Sequence, residues 1–68
     1  MNRDLMDDGT KMRALKIKGL IPEDAALRIK KESDIPTLKE LRISYLLEDK
    51  EALQKVVEAR LGELGAKY

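Results

Sequence analysis

The sequence predicts an all-α fold, a compact bundle of three to four short helices, and composition, charge and spacing each point to it. Apolar residues make up 43% of the 68 and are almost wholly Leu, Ile, Val, Ala and Met, with Tyr45 and Tyr68 the sole aromatics. Charged residues reach 40%, against the ~25% usual for globular domains, which suits helices that keep one face wet. Apolar positions recur three and four apart between punctuating Gly, Pro and Asp residues, the period of a helix rather than a strand.

Residues 1–9 hold Arg3 against Asp4, Asp7 and Asp8 and close on Gly9, so they are expected to form a flexible acidic tail ahead of a single helical domain over 10–68. A calcium loop would need more alternating oxygen ligands and a distal bidentate Glu; no metal or other cofactor is expected. Thr10 is the expected cap of a first helix over 10–18, with Gly19 as its stop. Pro22, which lacks an N–H that a first turn would leave unused anyway, opens a second helix over 22–32, acidic at its start (Glu23, Asp24) and basic at its end (Lys30, Lys31). There Ile21, Pro22, Ala25, Ala26 and Ile29 share one side while Leu27 points away.

Ser33 or Asp34 can cap a third helix over 36–47, in which Leu38, Leu41 and Tyr45 make one stripe and Ile43, Leu46 and Leu47 a second flank. Two apolar flanks predict a central helix packed on both sides. Glu48 and Asp49 then read as the acidic start of a last helix over 49–64, whose stripe is Leu53, Val56, Val57, Leu61, Leu64 and Tyr68. Gly62 and Gly65 predict fraying after Leu64, at about 1 kcal/mol each against Ala.

The function classes narrow quickly. Neither His nor Cys occurs, which removes disulfides, His/Cys zinc sites and imidazole catalysis. Nucleophilic chemistry would fall to Ser33, Ser44, Thr10, Thr37 or a Lys, and no Ser lies in a Gly-flanked turn. The chain reads as non-enzymatic. No apolar run approaches the ~18 residues a membrane span needs, and Met1 to Asp4 lack the apolar core of a signal peptide, so a cytoplasmic protein without membrane contact is expected.

A domain of this size buries only about 60% of its unfolded surface, and a partner chain is the remaining reinforcement. Leu53, Val56, Val57, Arg60, Leu61 and Leu64 are the expected protein interface, in a homodimer or against another protein, assisted by one flank of the third helix. Arg60 sits inside that stripe; either its stem lies along apolar surface with its head in water, or it meets an acid on a second chain and sets register. The competing reading is a small DNA-binding or transcription-regulating protein. Residues 10–31 carry seven basic and two acidic side chains, residues 32–51 three basic and six acidic. Residues 23–41 have the outline of a helix-turn-helix in which Thr37, Lys39 and Arg42 would face the major groove, across a connection that reads as longer than the tight turn of that motif. No aromatic is interleaved with the basic residues to stack bases.

Gly19-Leu20 in a loop, Pro-Glu-Asp-Ala-Ala-Leu at 22–27 and Tyr45-Leu46-Leu47 at the end of the third helix resemble, over about residues 12–47, ubiquitin-associated-type three-helix modules. The resemblance implies protein binding. Lys18 stands where that family usually has Met, and Leu20 where it has an aromatic.

Overall fold

The computed structural model describes residues 8–66, and among them four helices and no strand: α1 (Asp8–Lys18), α2 (Pro22–Lys31), α3 (Ile35–Leu47) and α4 (Glu51–Glu63). They close into a ring in which each helix packs chiefly on two neighbours: α1 on α3, α3 on α4, α4 on α2, and α2 more lightly back on α1. The sides α1–α3 and α2–α4 therefore lie opposite one another.

Every helix sends a short stripe to the centre. Ala14 and Ile17 come from α1, Ala25 and Ile29 from α2, Leu38, Leu41 and Tyr45 from α3, and Leu53, Val57 and Leu61 from α4. Their spacings of three and four are those of one helix face. The small residues Ala14 and Ala25 sit where α1 and α2 meet the core, and the bulk is supplied by α3 and α4. The Tyr45 hydroxyl is buried with no hydrogen-bond partner among the described residues. Burial, reinforced by the nearby Glu48 charge, raises its pKa above the ordinary tyrosine value.

Several boundaries differ from the sequence reading, each for a local reason. Residues 1–7 of the expected tail lie outside the described residues, but Asp8 and Gly9 belong to α1. Thr10 does not cap that helix; it is inside its first turn and buried. At α3 the cap is Asp34, whose carboxylate accepts from the Thr37 N–H at 3.2 Å and from the Thr37 hydroxyl. Ile35 becomes the first helical residue and Pro36 falls in the first turn, where its missing N–H is harmless.

Glu48 and Asp49 end α3 instead of opening α4. The Asp49 N–H donates to the Leu46 carbonyl at 3.2 Å and the Lys50 N–H to the Tyr45 carbonyl at 2.9 Å. That paired pattern is a Schellman cap, and it puts Asp49 in the left-handed region at φ 63°. The same motif ends α4: Gly65 donates to Gly62 at 3.0 Å and Ala66 to Leu61 at 2.9 Å, with Gly65 at φ 75°. Instead of fraying after Leu64, the end is closed, and Ala66 packs on the core.

Candidate interaction surfaces

Of the exposed large apolar residues, Leu20 and Ile21 lie ahead of α2, Leu27 on α2 and Leu46 on α3, and the side α1–α3 carries several others. The two helices run in the same direction: Arg13 pairs with Asp34 at the start of α3 (3.7 Å) and Lys18 with Glu48 at its end (2.6 Å). The Lys18 hydrogen bond is the first cause of a Glu48 pKa below the ordinary carboxylate value, with burial opposing it and the Lys18 and Lys50 charges adding to it. With Thr10, Ala14 and Ile17 turned inward, Met12 and Leu15 are left 55% and 60% exposed. On α3, Ile43 and Leu47, one turn apart, stand opposite the buried Leu41 and Tyr45 and are 49% and 80% exposed. The expectation of a third helix packed on both apolar flanks is thus only half met, because α1 and α4 both dock nearer the inner stripe. Lys11, Ala14, Leu15, Lys18, Glu40 and Ser44 line a shallow hollow of about 150 Å³ between the helices.

The opposite side holds a cleft of about 410 Å³ between α2 and α4. Val56 and Ala59 form its floor; Lys30, Lys55, Arg60 and Glu63 form its rim. Arg60 is fixed there, its Nε donating to the Glu32 carbonyl at 2.7 Å and its guanidinium meeting Glu63 at 3.2 Å. Glu32 itself is 5% exposed, holds the Asp34 N–H at 3.1 Å and lies 3.4 Å from Arg28.

This geometry sorts the expected interface residues into three groups. Leu53, Val57 and Leu61 are consumed by the chain's own core, so the structure does not offer them to a second chain. Leu64 is partly buried against that core. Val56 and Arg60 line the cleft, and Arg60 meets its partners within the chain: a carbonyl on α2's end and an acid one turn away. The sequence reading missed Lys30, Lys55, Ala59 and Glu63. Ala52, Val56, Ala59 and Glu63, which recur at three and four beside the main stripe, were the available signal for this flank.

The expected nucleic-acid residues do not form one surface. Thr37 is fully buried and bonded to Asp34, Arg42 crosses to Glu58 on α4 at 3.0 Å, and Lys39 is exposed on a third side. The connection between α2 and α3 is three residues, 32–34, as short as the turn of a helix-turn-helix and one residue earlier than the expected helix bounds place it. The pair nevertheless lacks the mutual packing of a helix-turn-helix, since α2 lies chiefly on α4. The basic and acidic halves attract each other instead, through Arg13–Asp34, Lys18–Glu48 and Arg28–Glu32.

Fold and surfaces together define a small all-helical protein with an apolar face on one side and a basic-rimmed cleft on the other. Among the described residues no three acidic side chains gather as a metal site, and no helix is long and apolar enough to cross a membrane. Compared with known proteins, the chain matches no family model, no curated protein and no solved structure. The resemblance to ubiquitin-associated-type modules gains no support there, and it leaves out α4, the helix on which α2 chiefly packs.

Proposed function

We propose that this chain is a non-catalytic helical interaction module that self-associates through the outer face of α1 and α3. The observation that carries the reading is the exposure of Ile43 and Leu47 on α3, 49% and 80%, together with that of Met12 and Leu15 on the adjoining α1. Single exposed aliphatics are ordinary, whereas a cluster on adjoining helices marks a contact surface.

The charge around this face is self-complementary. Lys11 and Lys18 stand on the α1 side, Glu40 and Glu48 on the α3 side. A two-fold axis running along the helices would lay α1 of each copy over α3 of the other. Leu15 then meets Ile43 and Leu47, and Lys11 of each copy comes toward Glu40 of the other, while Lys18 and Glu48 stay paired within their own chain. Burying what is exposed of four aliphatics on each copy releases on the order of 10 kcal/mol. Association itself costs about 4–15 kcal/mol, so the dimer is expected to be weak and concentration-dependent.

Light scattering over a concentration series tests this. The expected result is a mass that climbs from one chain toward two, and stays at one chain for Leu47→Glu with helical content unchanged. A wild type that remains monomeric at millimolar concentration would overturn the reading.

A further inference from the structure

We infer that the cleft between α2 and α4 is a second binding site, taking a short acidic segment of a partner protein with one apolar side chain as anchor. The argument is independent of the α1–α3 face, which lies on the opposite side of the ring. At about 410 Å³ the cleft falls in the usual range of binding pockets, roughly 300–1,000 Å³. Its floor, Val56 and Ala59, offers apolar contact, extended by the stem of Arg60 lying along α4.

Its rim decides the sign of the occupant. Three cations, Lys30, Lys55 and Arg60, surround one acid, Glu63. Glu63 is already answered by Arg60 at 3.2 Å. Lys55 pairs with the well-exposed Glu51 at 3.4 Å, a pair that solvent screens to little, and its charge also acts on Glu58 at longer range. Lys30 has no acidic partner among the described residues. Arg28 and Lys31 add positive charge at the same end of α2.

A helix end carrying this much positive charge beside an apolar floor is complementary to carboxylates flanking an aliphatic side chain. The anchor would sit on Val56 and Ala59, with carboxylates toward Lys30 and Lys55. Arg60, fixed by the Glu32 carbonyl, needs no reordering to serve as one wall, which lowers the entropic cost of binding. A nucleic acid would satisfy the lysines and leave the floor unused.

The probe is a short peptide with one leucine among glutamates, titrated into the isotopically labelled full chain and followed by amide chemical shifts. A second peptide replaces the leucine with serine, and a third arm uses duplex DNA. The leucine peptide should shift the amides around Lys30, Val56, Ala59 and Glu63, and bind about tenfold more weakly to Lys30→Glu, a rim-charge reversal. Ala59→Glu, at an exposed helical position, should abolish the shifts with the urea midpoint unchanged. Leu47→Glu should leave them intact, so loss of self-association does not mask the site. Equal binding of the serine peptide, displacement by DNA at lower concentration, or shifts confined to another face would overturn the inference.

Discussion

The two flanks of α4 face different neighbours and solve the same problem differently. Toward α3, Arg42 reaches Glu58, and Gln54 donates to the same carboxylate oxygen, also at 3.0 Å. That contact is between side chains, has two donors, and runs beside the bulky Leu38, Leu41 and Tyr45. Toward α2, Arg60 reaches a backbone carbonyl alone, and the facing residues are Ala25, Ala26 and Ile29. Small residues on α2 bring less side chain to the seam, and the cleft opens above it. An arginine at a helix seam therefore does not reveal whether the seam is closed; the size of the side chains opposite does.

The largest effect should come from the closed side. Leu41→Ala removes a fully buried side chain of α3 and should cost about 2–5 kcal/mol, enough to leave a domain this small largely unfolded by urea titration at 25 °C. Val56→Ala, on the cleft floor, should cost well under half as much. Comparable losses at the two positions would mean that the flanks do not differ in packing.

Arg60→Met keeps the stem and removes the charge-assisted bond to the Glu32 carbonyl, leaving a buried acceptor unpaired. A loss of about 1.5–3 kcal/mol is expected. Arg42→Met should lower the midpoint less, because Gln54 continues to serve Glu58. Reversal of that order would show the α2 seam to be the more redundant one.

The two helix ends provide a smaller test. Gly65→Ala, at φ 75°, should lose roughly 1 kcal/mol because a Cβ is disfavoured in the left-handed region. Asp49→Gly relieves the same strain and should gain up to about 1 kcal/mol. A loss at Asp49→Gly would mean that the aspartate side chain supports its turn.

The finest distinction is in acid. Hydrogen bonds from Gln54 first and then Arg42 hold the Glu58 pKa below the ordinary carboxylate value. A group depressed in the folded state stabilises fully above its unfolded pKa of about 4.3, and that contribution disappears as pH falls through the lower folded value. Urea midpoints should fall below about pH 4 in the wild type, and fall less in Glu58→Gln. Parallel curves would place the acid sensitivity elsewhere, with Glu48 and its Lys18 partner the next group to replace.

Much of this molecule is legible residue by residue. Pro22, Pro36, Asp34 and Gly19 mark helix ends through conformations and missing N–H groups that belong to the residues themselves, so α2 and α3 lie within a residue or two of where the sequence puts them. The stripe Leu38, Leu41, Tyr45 and its counterpart in α4 each share one helix face because period alone gathers them there. Glu48 and Asp49 misled because an acidic pair suits a helix start equally well as a sentence read forward, while the Schellman bonds that make it an ending form only once α3 has closed.

What one helix does not contain is the identity of its neighbours. The α4 stripe looked like an interface because three apolar residues at one period bury equally well against the same chain or another. Only the ring closure of α2 and α3 around it consumed Leu53, Val57 and Leu61. The same closure left Ile43 and Leu47 outside and turned Val56 and Arg60 toward a cleft. Amphipathic period is a local property and was written in the sequence; which flank stays wet depends on where each neighbour docks, and tertiary packing alone decided that.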